Sequence, residues 1–153
     1  MYDDSQDEMA HLTVDLVLFA RVGVKLYVLL VTRKWDPFEG FLAFPGGHVK
    51  IGEDTNVAAQ RELFEETGVT ANSLVEFGAY TAPGRDSRGR TVTVVYTWTL
   101  DSCETTTAGD DASEAQWYPV SEMLTDDGCA RLAFDHAQIL NDVATAFIHG
   151  IAL

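Results

Sequence analysis

Gly47-His-Val-Lys-Ile-Gly-Glu-Asp-Thr-Asn-Val-Ala-Ala-Gln-Arg-Glu-Leu-Phe-Glu-Glu-Thr-Gly-Val69 is the stretch on which the reading of this chain turns. From Asp54 to Thr67 it is rich in helix formers and holds neither Gly nor Pro, and Gly68 is placed to end the helix in a left-handed cap. At 3.6 residues per turn, Glu62, Glu65 and Glu66 stand three and four positions apart and share one face. Three carboxylates on one face repel one another unless something neutralises them. A hard divalent cation does so, because oxygen ligands are what Mg²⁺ prefers. Arg61, four residues before Glu65, is placed to pair with it or with Glu53. Mg²⁺ keeps several waters and binds through a few carboxylates plus substrate phosphates, so this helix points to a phosphate-bearing substrate. The competing reading is a solvated acidic face; the flanking glycines and Arg61 weigh against it.

The spacing Gly47-x5-Glu53-x7-Arg61-Glu62-Leu63-x-Glu65-Glu66-x-Gly68-Val69 resembles the Nudix box without a departure. Seven positions demand one residue type, so a chance match at a given start is on the order of 10⁻⁸. The resemblance implies a Mg²⁺-dependent hydrolase, with Mn²⁺ as a substitute, that cleaves a nucleoside diphosphate linked to another group. It implies a loop–helix–loop in an α/β/α sandwich with a mixed sheet. By position, Glu62 and Glu66 look like the principal metal ligands. Glu65 looks like a further ligand or a water-orienting base, and the backbone carbonyl of Gly46 like another ligand. Arg61 and Glu53 would hold these groups in register. Gly46 and Gly47 lack a Cβ and so let the backbone approach an ion, and Pro45 fixes the entry of the turn.

The rest of the chain sets bounds. A length of 153 residues with 46% hydrophobic content suits one domain, read as residues 11–153 behind a flexible acidic tail at 1–10. No apolar run approaches the roughly 20 residues that span a bilayer, and the acidic start lacks signal-peptide character. Cys103 and Cys129 match no metal spacing and read as free thiols of a cytoplasmic protein. A net charge of −14 disfavours nucleic acid and anionic membranes as partners, while a small phosphorylated substrate remains compatible.

Residues 11–20 and 24–33 are apolar, rich in β-formers and joined by a turn at Val22-Gly23, so they read as a central hairpin. Residues 75–81 and 91–100 read as a second strand pair, 116–119 as a short strand, and 120–124 as one helical turn. Asp135 with Gln138 resembles a capping box, Phe134 and Ile139 occupy the staple positions, and Leu140, Val143, Ala144 and Phe147 continue a helical stripe. Strands interleaved with two long helices give a mixed sheet covered on both faces. His136, directly after that cap, is expected at the surface or in capping. His48 lies in the box loop, where it can approach substrate.

Pro83-Gly84-Arg85-Asp86-Ser87-Arg88-Gly89-Arg90 places three of the ten basic residues within six positions. Arginine suits bidentate phosphate binding; the alternative is a solvated hairpin loop whose arginines pair with acidic surface. This run, the segment Trp35 to Gly47 and Ala133-Phe-Asp-His136 resemble the Nudix branch active on ADP-ribose, whose cleaving members are commonly homodimers. On that resemblance Arg85, Arg88 and Arg90 are candidates for the phosphates or terminal ribose, and Phe38 or Trp35 for adenine. Tyr96 reads equally as core or ligand contact. Glu114 is the candidate for a further acid near the metals, with Asp110 and Asp111 competing. The leading expectation is hydrolysis of ADP-ribose to AMP and ribose 5-phosphate. Two rivals stand beside it: a nucleoside triphosphate pyrophosphohydrolase, and a non-catalytic ADP-ribose sensor. Sensors of this kind are expected to carry a C-terminal winged helix, for which a chain ending at Leu153 leaves no room.

Overall fold

The computed structural model describes residues 5–109 and 111–150. Its seven-stranded sheet is built around β1 (His11–Val22), which pairs antiparallel with β2 (Lys25–Arg33) as the expected hairpin. On its other side β1 runs parallel to β6 (Thr91–Leu100), with Asp15 opposite Val95 and Val14 opposite Val94. β5 (Val75–Tyr80) pairs antiparallel with β6. The short strands β3 (Leu42–Ala43) and β4 (Gly46–His48) pair with β2 and β1 respectively, and β7 (Ala112–Pro119) lies along β2. One parallel contact among antiparallel ones makes the sheet mixed, as expected.

Alternation along β1 sorts the core into two layers. Val14, Leu16 and Leu18 pack with Leu29, Ala58, Ala59 and Leu63 under α1 (Thr55–Thr67). Val17 and Phe19 pack with Val28, Leu30, Ile139, Leu140 and Val143 under α4 (His136–Ile148). The sheet therefore lies between helices, which is the Nudix α/β sandwich the sequence implied. α2 (Val120–Met123) contributes the buried Val120 and Met123 to the second layer, and α3 (Asp126–Ala130) follows it. Among the described residues, no helix is long and apolar enough to cross a membrane.

Four local expectations need correction or extension. β7 begins at Ala112, earlier than expected, because its pairing with β2 continues past a register shift at Thr32/Arg33. Asp135 makes no side-chain cap for α4; its carboxylate is taken instead by Arg85, through bonds of 2.7 and 2.9 Å. Phe134 packs against the Val31, Ala43 and Ala133 cluster while Ile139 belongs to the layer under α4, so the staple is not formed. His136 is not at the surface: it is 3% exposed. Both cysteines are free, as expected. Residues 1–4 of the expected flexible tail lie outside the described residues, and Glu8 is ion-paired with Arg90 at 3.1 Å.

Candidate functional site

Helix α1 delivers the acidic face. Asp54 caps its N-terminus by accepting from the Asn56 amide, and Gly68 closes it at φ 71, donating its amide to the Phe64 carbonyl. Tyr96, buried in the layer below, holds the first turn through a 2.7 Å hydrogen bond with Thr55, which resolves its role toward core. Ala58, Ala59 and Leu63 seat the helix on the sheet. That seating fixes the rotation of α1, so Glu66 is turned inward and buried while Glu65 stays toward solvent.

Arg61 organises the carboxylates. Its Nε and Nη2 hold both oxygens of Glu53 (2.7 and 2.9 Å), its Nη1 holds Glu62 (2.7 Å) and Glu65 (3.0 Å), and Nη2 also donates to the His48 carbonyl. Of the two partners the sequence left open, Arg61 takes both. This pairing, helped by the Lys50 amide, holds the Glu53 carboxyl well below the usual range, at about 2. Glu66 has the opposite environment. Burial pushes its carboxyl up to about 9; the nearby Glu62, Asp15 and Asp111 push the same way, and the Gly46 amide opposes them with a 3.3 Å hydrogen bond.

The two glycines before the helix are where a side chain has no room. A Cβ on Gly47 would lie 2.5 Å from the Glu62 carboxylate, and one on Gly46 would collide with the Val14 carbonyl. The turn and the helix face are thus interlocked. A third segment joins them: the Thr107 and Gly109 amides donate to the Thr67 and Glu66 carbonyls at the end of α1. This strap satisfies carbonyls that a helix end leaves orphaned and carries Asp111 to the rim.

Among the described residues, no three His, Cys, Asp or Glu side chains converge into a closed metal-binding group. What fits a hard divalent cation is the donor chemistry: carboxylate oxygens along one groove of about 530 Å³ lined by Glu62, Glu65, Glu66, Asp111 and the Gly46–Gly47 backbone. One arginine there pairs with three acids, Glu53, Glu62 and Glu65, while among the described residues the hydrogen bond that Glu66 accepts comes from the Gly46 amide.

The groove adjoins a cavity of about 190 Å³ that shares Gly46, Gly47, Glu66 and Asp111 and has Arg33, Arg85, Arg88 and Trp35 in its other wall. That volume is below the roughly 300–1,000 Å³ of pockets for drug-sized ligands, so the cavity alone suits one portion of a larger molecule. Its arginines are not equivalent. Arg85 is committed to Asp135, and Arg88 to Asp86 through bonds of 2.7 and 3.0 Å. Among the described residues the Arg33 guanidinium donates to the carbonyls of Pro37 and Trp35, and it lies 4.8 Å from the centre of the Phe134 ring.

Of the residues singled out in the sequence, Glu62, Glu65, Glu66, Gly46, Arg61 and Glu53 are brought together. Arg85 and Arg88 reach the cavity, and Phe38 lines a neighbouring depression against Phe134, at a ring distance of 5.0 Å. Arg90 is turned to Glu8 and the Thr81 carbonyl, outside the cavity wall. Glu114 is not brought to the acidic groove; it lines a separate depression with Thr32 and Arg131, because it sits on β7 across from Thr32. Asp111 stands at the groove in its place, and Asp110 lies outside the described residues. The sequence reading missed Asp15, Arg33 and His136. Asp15 carried a signal, as a lone acid inside the apolar run Leu12 to Ala20; such a residue is buried only when partnered.

Comparison with known proteins adds an independent line. The NUDIX domain family matches residues 9–143. The ADP-ribose pyrophosphatase of Methanocaldococcus jannaschii is 38% identical over 115 residues, covering 75% of this chain and 64% of that protein. The ADPR responsive transcriptional repressor NtrR of Acinetobacter baylyi is 30% identical over 141 residues, covering 91% of this chain and 55% of that one. The chain therefore spans less than two thirds of the length of these curated relatives. Among solved structures, the NUDIX domain of Shewanella oneidensis NrtR complexed with ADP ribose superposes with a TM-score of 0.83 at 31% identity, covering 95% of this chain and 94% of that one. A bifunctional NMN adenylyltransferase/ADP ribose pyrophosphatase from Francisella tularensis, complexed with AMP and a Mn ion, gives 0.77 at 27% identity, covering 93% of this chain and 43% of that one.

Proposed function

The chain belongs to the NUDIX family, and on that premise we propose that it is a divalent-metal-dependent pyrophosphohydrolase acting on a nucleoside diphosphate linked to a second group, ADP-ribose foremost. The observation that carries this reading is one connected recess with Glu62, Glu65, Glu66 and Asp111 on one wall and Arg33 on the other, beside the acid-paired Arg85 and Arg88. A diphosphate bridged by a cation suits both walls at once. The similarity to an ADP-ribose pyrophosphatase and to an ADP-ribose-bound domain supports the choice of substrate.

In this reading Glu62, Glu66 and the Gly46 carbonyl hold Mg²⁺ or Mn²⁺, which would neutralise phosphate oxygens and acidify a bound water. Glu65, half-exposed at the groove mouth, is placed to orient that water or add a ligand. Arg61, itself held by Glu53, keeps Glu62 and Glu65 in register. Arg85 and Arg88 frame the opposite wall, and the exposed rings of Trp35 and Phe38 are the candidates for a base. The products from ADP-ribose are AMP and ribose 5-phosphate.

A non-catalytic ADP-ribose sensor is the second reading, favoured by the likeness to NtrR and to the NrtR domain. The complete acidic set of the box weighs toward catalysis. Initial rates with Mg²⁺ across ADP-ribose, NADH, diadenosine polyphosphates, sugar nucleotides and nucleoside triphosphates test the proposal. The expected result is the highest kcat/KM for ADP-ribose. A preference for a triphosphate would retain the hydrolytic chemistry and overturn the substrate.

A further inference from the structure

The buried imidazole of His136 has no part in the proposed chemistry, yet its bonds lead to the turn that meets the acidic helix. Its Nδ1 accepts the Phe44 amide at 3.1 Å, and its ring stacks on that of Phe44 at 4.7 Å and 25°. Its Nε2 faces Asp15 at 3.6 Å, and Asp15 accepts from the Thr93 hydroxyl at 2.7 Å. Phe44 sits where the chain changes partners. Ala43 is paired with Val31 of β2, while Gly46 is paired with Asp15 of β1. The Phe44 amide falls between the two ladders, in the interior, and its partner is the histidine. A buried amide without a partner is strongly disfavoured, so this bond, together with the one the Pro45 carbonyl accepts from the Leu16 amide at 2.8 Å, fixes where the crossover runs.

The crossover has little slack. Two residues on, the Gly46 amide reaches Glu66, and Gly47 lies against the Glu62 carboxylate so closely that a methyl group would not fit. We propose that His136 is a positioning residue for the acidic face, acting through the Phe44 amide to set the Gly46–Gly47 turn against Glu66 and Glu62. The inference rests on the reading of those glutamates as cation ligands.

The test is Mn²⁺ binding without substrate, followed by electron paramagnetic resonance of the free ion. The comparison is between the unaltered chain, His136→Asn and His136→Gln. The Asn carboxamide oxygen lies near the place of Nδ1 and retains an acceptor for Phe44; that of Gln lies near the place of Nε2 and does not. A merely structural role would show in the thermal stability of the two folded variants and leave their Mn²⁺ affinities alike. The expected result is a Mn²⁺ dissociation constant raised about tenfold or more in His136→Gln and less than about threefold in His136→Asn, the scale on which supporting partners of metal ligands act. His136→Leu is expected to match or exceed the loss in Gln. Equal Mn²⁺ affinity in the Asn and Gln variants, with thermal unfolding showing both folded, would overturn the proposal alone. An unaltered chain that binds no Mn²⁺ would overturn the reading of the metal face, and the inference with it.

Discussion

Two charged regions of this molecule look alike in sequence and differ in the structure. The box gathers Glu53, Glu62 and Glu65 around one arginine and sets the buried Glu66 beside them, leaving a surplus of negative charge along a groove. The loop at 85–90 gathers three arginines and provides each with its own acid: Asp135, Asp86 and Glu8. Among the described residues the first region has more acids than cations at its groove, and so has a reason to bind a cation. The second is neutralised within the protein. Unmatched charge, more than charge itself, marks the part of a surface that acts on ligands, and by that measure Arg33 is the arginine of the cavity with the freest hand for phosphate.

The comparison can be broken most decisively at Glu66. Glu66→Gln is expected to lower kcat by at least about a hundredfold, more than the roughly 10–100-fold that supporting partners of metal ligands contribute. It should also stabilise the metal-free protein. The unfolded carboxyl ionises near 4.5 while the folded one holds its proton to about 9, so stability falls as pH rises between those values. At pH 8 the variant should therefore melt several degrees higher in chelator, a result readable by calorimetry. A lower melting temperature would mean that the glutamate is neutralised by something within the fold.

The other wall sharpens the contrast. Arg33→Gln should raise KM for ADP-ribose about tenfold, as fits one charge-assisted hydrogen bond. Arg88→Gln, half-exposed and already paired, should raise it less than about threefold. Reversal of that order in steady-state kinetics would return phosphate binding to the loop.

The smallest effect concerns acid stability. The Glu53 carboxyl is depressed to about 2 by Arg61, so its contribution is present above about 4.5 and is lost as pH falls toward 2. Glu53→Gln should flatten that part of the unfolding profile, and above about pH 5 it should lower stability by a constant amount without changing the slope. An unchanged slope between pH 4.5 and 2 would show that Arg61 does not hold Glu53 in solution.

Which features were legible in the sequence follows from the distance over which each is encoded. The acidic face was, because helical spacing alone places Glu62, Glu65 and Glu66 together. The hairpin and the second strand pair were, because alternation and turns are local. Asp15 and His136 were not, since Asp15 takes its partners from Thr93 on β6, nearly eighty residues on, and from His136 at the start of α4, which only the folded sheet brings beside it. The cap expected of Asp135 failed for the same reason: a guanidinium fifty residues away takes the carboxylate. Asp111 reaches the groove only because Gly109 can lie flat on the last turn of α1, where a side chain would strike the Glu65 carbonyl.

The most direct test of the account is turnover of ADP-ribose with Mg²⁺, with products separated by chromatography, for the unaltered chain and Glu66→Gln side by side. The account predicts AMP and ribose 5-phosphate at a kcat/KM above about 10⁴ M⁻¹s⁻¹ from the former and almost none from the latter. Saturable binding of ADP-ribose with no turnover by either would contradict it and assign the domain to sensing.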